Sequence, residues 1–236
     1  MRLFLAALVL ATSVQADEVA VSAAASLQDA LRELAPLYEA KTHDKVVFNF
    51  GASNALAQQI RAGAPVDVFV SADEATMDSV PTSSRRDILG NRLLILGDLR
   101  AAHRVALANP AAVPAGVYAR QYLQRVGLWR EIAPKVVPTE NVRAALAAFE
   151  GGNVDAAIVY VTDAPKLRGV VVDWDIRYPA AVVRDARHPA AARRFLEFLS
   201  SKQAMEMFRR FGFRSLPPAS SKTAGTTSTP PARWRW

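Results

Sequence analysis

The sequence predicts an α/β protein with mostly parallel β-sheets, and two observations support this fold class. The 236 residues are 51% hydrophobic and 22% charged, which is typical of a globular chain that can bury a large core. Short apolar stretches of strand type also alternate with stretches in which apolar residues recur at helical spacing. Because helices connect neighbouring strands of a parallel sheet, this alternation indicates α/β architecture.

The predicted elements follow one another in a regular order. The first strand, at residues 19–22, precedes a helix whose apolar residues Leu27, Leu31 and Leu34 lie on one face. Further strands are predicted at residues 45–50, 66–70, 104–108, 156–160 and 180–183. Further helices are predicted at residues 54–61, 115–126, 141–149 and 189–211. Most of the strands are therefore followed by a helix, as crossover connections require.

The beginning of the chain has the pattern of a cleaved secretory signal peptide at residues 1–16. A short basic region is followed by an apolar run at 3–11 and by a small-residue cleavage site at 14–16 (VQA). A buried N-terminal helix is the alternative, but the run is too short to span a membrane and ends at the cleavage-like triplet. We therefore expect an exported, soluble protein in the periplasm.

The end of the chain, residues 217–236, has a different composition. It is rich in Pro, Ser and Thr and shows no apolar periodicity. Such a segment cannot bury enough apolar surface to offset the entropy of ordering. We expect a disordered tail.

Composition excludes several classes of function. The absence of cysteine excludes a disulfide scaffold, a thiolate metal site, a cysteine nucleophile and a lipid anchor on Cys. Three scattered histidines do not predict a zinc centre. Four of the 29 basic side chains lie in the leader or the tail, so residues 17–216 carry 25 basic and 22 acidic side chains. This balance predicts no nucleic-acid partner.

Two serines follow predicted strands at points where a helix begins. Ser26 and Asp29 have capping-box spacing, and Ser53 directly precedes the helix at 54–61. Helix capping alone accounts for most serines in such positions. However, the unpaired N–H groups and the dipole at a helix start also favour a bound anion.

Two further helix starts and one tyrosine extend this pattern. Pro114 at a first helical position leaves the Ala115 N–H free, and Val142 lies in the first turn of the helix at 141–149. Tyr160 ends an apolar strand. Taken singly, these are ordinary first-turn residues and a half-buried core aromatic. Together they predict an anion site at the carboxyl ends of the strands, where α/β folds bind ligands.

Seven motifs, in order, resemble those of the periplasmic molybdate-binding proteins of ABC importers. They are residues 23–27 (AAASL), 50–58 (FGASNALAQ), 63–73 (GAPVDVFVSAD), 113–119 (VPAGVYA), 140–147 (ENVRAALA), 158–164 (IVYVTDA) and 208–213 (FRRFGF). The resemblance extends from about residue 19 to residue 213, and its ordered motifs make it highly specific.

The resemblance implies a type II periplasmic binding fold of two α/β lobes with the ligand in the cleft between them. Lobe 1 is expected at residues 17–92 plus 180–216, and lobe 2 at residues 93–179. Each lobe is expected to have its own sheet, with crossover strands at residues 92–96 and 178–183. Residues 79–85 and 94–103 look shorter than is usual in the family, which puts the hinge geometry in question.

The resemblance also implies the function and the site. It implies binding of molybdate, and of tungstate, and delivery to an inner-membrane ABC permease with its ATPase. The ligand contacts are expected from Ser26 and Ser53 through hydroxyl and backbone N–H, from Ala115 and Val142 through backbone N–H, and from the Tyr160 hydroxyl. The same residues hold the molybdenum through its oxygens, so neither a free metal cation nor a cofactor is expected. A monomer is expected.

Neutral donors suit such a ligand, because an unprotonated tetrahedral dianion accepts hydrogen bonds at every oxygen and donates none. A protonated phosphate would lack an acceptor for its own proton. Sulfate or another tetrahedral oxyanion is the alternative ligand, and a sensing protein without a transporter is another alternative. An enzyme with a serine nucleophile is not expected, because the chain has no G-x-S-x-G elbow.

Overall fold

The computed structural model describes residues 16–216, so the predicted leader up to residue 15 and the predicted tail from residue 217 lie outside the described residues. The strands are β1 (Glu18–Ala24), β2 (Lys45–Gly51), β3 (Val68–Val70), β4 (Thr82–Leu96), β5 (Val105–Ala108), β6 (Val136–Thr139), β7 (Ala156–Tyr160) and β8 (Val170–Val183). The α-helices are α1 (Gln28–Thr42), α2 (Ser53–Arg61), α3 (Glu74–Asp78), α4 (Pro114–Arg125), α5 (Trp129–Ile132), α6 (Val142–Glu150), α7 (Pro189–Leu199) and α8 (Lys202–Arg210). Short 3₁₀ turns lie at Ala25–Leu27 and Ala133–Lys135.

The strands form a mixed sheet in the order β2-β1-β3-β8-β4-β7-β5-β6. The trio β2-β1-β3 is parallel, and so is the trio β7-β5-β6. The long strands β4 and β8 lie between the trios and pair antiparallel with each other. Helices flank this sheet, and the predicted α/β fold class is confirmed.

One expectation about the sheet is wrong. We expected a separate sheet in each lobe, but the described strands form one hydrogen-bonded series. The cause is the length of β4 and β8, which extend well beyond the predicted crossovers and link the two trios. The β4–β8 pairing is interrupted by three register shifts, between Thr82 and Ser84, Asp87 and Leu89, and Asn91 and Leu93. The division of the chain into lobes at the stated boundaries stays a prediction.

Two other differences concern local structure. The single helix predicted at residues 189–211 is two helices, α7 and α8. The break occurs where Ser201 caps α8 by accepting a hydrogen bond from the Ala204 N–H at 3.2 Å. Strand β6 was not predicted, because its four residues, VVPT, are too short to show a period.

The buried core runs along the whole sheet. The central strands read as continuous apolar stretches; every residue of β5 and β7, for example, is buried. Strands covered on both faces have this pattern. None of the helices within residues 16–216 is long and apolar enough to cross a membrane.

Candidate functional site

All five residues predicted to bind the ligand line one cavity. Its lining is Ala24, Ala25, Ser26, Gly51, Ala52, Ser53, Val113, Ala115, Asn141, Val142 and Tyr160. These residues lie at or just beyond the carboxyl ends of β1, β2, β5, β6 and β7, so both parallel trios contribute. This is the edge at which open α/β sheets bind ligands.

The cavity is small. Its volume open to the centre of a water-sized sphere is about 20 Å³. This space is partly open to solvent and suits a small ligand.

Ser26 lies in the 3₁₀ turn between β1 and α1. The expected capping box with Asp29 is wrong, because the Ser26 side chain makes no capping hydrogen bond. Its Oγ instead lies 3.0 Å from the Tyr178 hydroxyl on β8. Ser26 is only 3% exposed and lines the cavity. The side chain therefore faces the interior of the protein rather than its own helix.

Ser53 begins α2, directly after β2. It does not cap that helix either, since its Oγ accepts a hydrogen bond from the Ala72 N–H, 3.0 Å away, just beyond β3. A serine hydroxyl has one hydrogen and two lone pairs. With one lone pair bound to Ala72, the Ser53 hydrogen is free to donate into the cavity.

The starts of α4 and α6 form the opposite wall. Ala115 is the second residue of α4 and Val142 the first residue of α6, so the N–H groups of both lie in first turns without a helical acceptor. Gly116 allows α4 to approach β5 closely, because a Cβ at this position would lie 1.8 Å from the Ala108 carbonyl oxygen. Asn141 caps α6 by accepting from the Ala144 N–H at 3.0 Å.

Tyr160, the last residue of β7, carries the most informative polar atom. The residue is 1% exposed, and its hydroxyl has no hydrogen-bond partner among the described residues. Burial raises the pKa of the Tyr160 hydroxyl well above its usual value, so the group stays protonated and can donate. A buried hydroxyl without a partner is costly, which makes the site suited to an acceptor from outside the chain.

No charged side chain lines the cavity, but an ionic cluster lies behind it. Asp163 accepts a hydrogen bond from the Tyr160 N–H at 3.2 Å, and its Oδ1 lies 2.8 Å from Arg143 Nε. This second contact is an ion pair, and neither of its two atoms has a hydrogen-bond partner among the described residues. Burial raises the pKa of the Asp163 carboxyl to about 7, although Arg143 acts to lower it.

Arg143 also connects the two walls of the cavity. Its Nη2 lies 2.8 Å from Asp29 Oδ2, and Asp29 belongs to α1 whereas Arg143 belongs to α6. The ionic cluster therefore joins α1, which follows the turn of Ser26, to α6, which begins at Val142, without placing a charge in the cavity.

Three polar residues next to the cavity were missed by the sequence analysis. Asn91 on β4 donates from Nδ2 to the Tyr178 hydroxyl at 3.1 Å and to Thr162 Oγ1 at 2.9 Å. Asn91 and Tyr178 are at most 1% exposed, and Thr162 is also buried. The available signal was a polar residue within the apolar stretch of β4, which indicates a buried partner.

The family model for bacterial extracellular solute-binding proteins matches residues 19–214. The chain belongs to this family. It is 36% identical over 232 residues to the molybdate-binding protein ModA of Escherichia coli, an alignment that covers 84% of this chain and 90% of that protein. The resemblance drawn from the seven motifs is thereby confirmed.

Solved structures show the same fold. The periplasmic molybdate-binding protein of Azotobacter vinelandii has a TM-score of 0.77 at 22% identity, over 85% of this chain and all of that one. The sulfate-binding protein SubI of Mycobacterium tuberculosis has a TM-score of 0.73 at 17% identity, over 86% of this chain and 88% of that one. At such identities the likeness concerns the fold alone.

No histidine is among the residues that line the cavity of this solute-binding protein, so neither Ser26 nor Ser53 has one beside it there.

Proposed function

We propose that this solute-binding protein captures molybdate, and also tungstate, in the periplasm and delivers it to an inner-membrane ABC permease with its ATPase. The relatives named as molybdate-binding proteins support the ligand. The transport role is supported by a 36% identical relative from Bacillus subtilis, which is named a putative ABC transporter substrate-binding lipoprotein and aligns with 82% of this chain. Export through the leader at residues 1–16 fits this location.

The observation that carries the proposal is the unpartnered Tyr160 hydroxyl in a cavity with only neutral donors. The hydroxyls of Ser26, Ser53 and Tyr160 and the first-turn N–H groups of Ala115 and Val142 all have hydrogens that can reach an acceptor there. A fully deprotonated tetrahedral dianion can use all of them, because each of its oxygens accepts. The starts of α4 and α6 add the positive ends of two helix dipoles.

The same donors suit sulfate, which is the second candidate. Sulfate is a tetrahedral dianion like molybdate, and a sulfate-binding protein shares the fold. The identity to a molybdate-binding relative favours molybdate over sulfate.

Calorimetric titration of the purified mature protein with molybdate, tungstate, sulfate and phosphate tests the proposal. We expect tight one-to-one binding of molybdate and tungstate, weaker binding of sulfate and the weakest binding of phosphate. Sulfate binding tighter than molybdate binding would replace the proposal by its alternative. No binding of any of the four anions would contradict oxyanion capture altogether.

A further inference from the structure

A buried chain of hydrogen bonds leads from the middle of the sheet to the cavity. Asn91 on β4 donates to the Tyr178 hydroxyl at 3.1 Å, and that hydroxyl lies 3.0 Å from Ser26 Oγ. The three residues are separated by 87 and 152 positions in the sequence, so the fold alone brings them together. Of the three, only Ser26 lines the cavity.

The direction of this chain follows from the Asn91 amide. Asn91 Oδ1 accepts from the Arg92 N–H at 2.8 Å, which identifies it as the oxygen. Both hydrogens on Nδ2 are then committed, one to Thr162 Oγ1 and one to the Tyr178 oxygen. Asn91 therefore acts on Tyr178 as a donor.

Tyr178 has one hydrogen and two hydrogen-bonding neighbours. Because it accepts from Asn91, its own hydrogen is satisfied only by donation to Ser26 Oγ. Burial raises the pKa of the Tyr178 hydroxyl, so this hydrogen is retained. Ser26 Oγ then accepts through one of its lone pairs, and its own hydrogen is left for the cavity.

We propose, on the basis of the proposed function, that Asn91 and Tyr178 are positioning residues that hold the Ser26 hydroxyl as a donor and thereby reject protonated oxyanions. Ser53 is held in the same sense by the Ala72 N–H. In both arrangements the serine hydrogen has no acceptor among the described residues, so each hydroxyl is satisfied when it donates to the ligand. Hydrogenphosphate has a proton of its own to donate, so it is fully satisfied only if one hydroxyl of the site accepts instead of donating, which costs a donated hydrogen bond.

We call the hydrogen-bond chain from Asn91 through Tyr178 to Ser26 the relay. Tyr178→Phe tests this relay and keeps the ring, which packs edge-on against Phe213 with a centroid distance of 5.5 Å. Without the phenol hydrogen, the Ser26 hydroxyl can rotate and accept. We expect the variant to bind molybdate about three- to tenfold more weakly while its hydrogenphosphate affinity is kept or increased, so that the ratio of the two affinities falls. The titrations are run at about pH 8, where both anions are dianions.

A double-mutant comparison separates positioning from general damage. Because the relay acts through Ser26, Tyr178→Phe should leave molybdate affinity unchanged in a Ser26→Ala background. Equal weakening in both backgrounds, or an unchanged ratio of molybdate to hydrogenphosphate affinity, would overturn the relay. Tyr38→Phe is the matched control, since it removes another buried phenol that binds Asp44 at 2.7 Å away from the cavity.

A second variant, Asn91→Asp, tests the relay independently if Tyr178→Phe folds poorly. Asn91→Asp replaces the amide donor by an acceptor, so Tyr178 donates to the carboxylate and Ser26 presents its oxygen to the cavity. The added charge repels both dianions alike, so the affinity ratio should again shift towards hydrogenphosphate, and a constant ratio would overturn the relay. A wild-type protein that binds no tetrahedral dianion would instead refute the proposed function, and the relay's role with it.

Discussion

Replacing Tyr160 by phenylalanine should weaken ligand binding without destabilising the ligand-free protein. The hydroxyl has no partner among the described residues and is fully buried, so its removal breaks no hydrogen bond within the protein. In the proposed complex it donates to a charged acceptor, a contact worth about 1.5–3 kcal/mol. The dissociation constant for molybdate should therefore rise roughly ten- to hundredfold.

The assay combines calorimetric titration with thermal melts in the presence and absence of molybdate. The ligand-free melting temperature of Tyr160→Phe should be unchanged or higher, since an unsatisfied buried hydroxyl is removed. Tyr38→Phe is the opposite case, because its hydroxyl donates to Asp44 and loses that bond. Its free energy of unfolding should be about 1–3 kcal/mol lower, with a lower melting temperature, and it should bind molybdate as the wild type does.

Two results would refute this reasoning about Tyr160. An unchanged molybdate affinity in Tyr160→Phe would remove the hydroxyl from the site. A marked fall in the ligand-free melting temperature would show that the hydroxyl has a structural partner.

Three further predictions follow from the site. Ser53→Ala should weaken molybdate binding about tenfold and lower stability by about 1–3 kcal/mol, because the Ala72 N–H loses its acceptor; titration and melts measure both. Gly116→Ala should lower the free energy of unfolding by about 2 kcal/mol or more and weaken molybdate binding, because the alanine Cβ would clash with the Ala108 carbonyl. Wild-type stability of this variant in denaturant unfolding would contradict the prediction. Burial raises the pKa of the Asp163 carboxyl to about 7, so the folded protein holds more protons than the unfolded chain between about pH 4 and 7. The free energy of unfolding should therefore fall as pH rises through that window. Asp163→Asn should lose this pH dependence of the unfolding free energy, and an identical pH profile in the variant would contradict the prediction.

The sequence predicted the local elements better than their connections. The apolar residues of β1, β5 and β7 identify buried strands directly, because both faces are covered. The lengths of β4 and β8 were not predictable, since their outer parts are mostly exposed and have no continuous apolar stretch that is buried. Their long antiparallel pairing is a contact between distant segments, and no local pattern specifies it.

The site was predicted residue by residue from motifs, and the structure brings all five residues to one cavity. The roles of the two serines were harder to assign. Helix-start position suggested capping, whereas Ser26 contacts Tyr178 and Ser53 binds the Ala72 N–H. One partner lies on β8 and the other just beyond β3, far from the serines in sequence, so local spacing could not reveal them.

The most direct test of the central claim is a crystal structure of the molybdate complex, with molybdenum located by its anomalous scattering. We predict one molybdenum in the cavity, with its oxygens within hydrogen-bond distance of the Ser26, Ser53 and Tyr160 hydroxyls and the Ala115 and Val142 N–H groups. Molybdenum at another position, or an Arg or Lys side chain in contact with the oxyanion, would contradict binding by neutral donors.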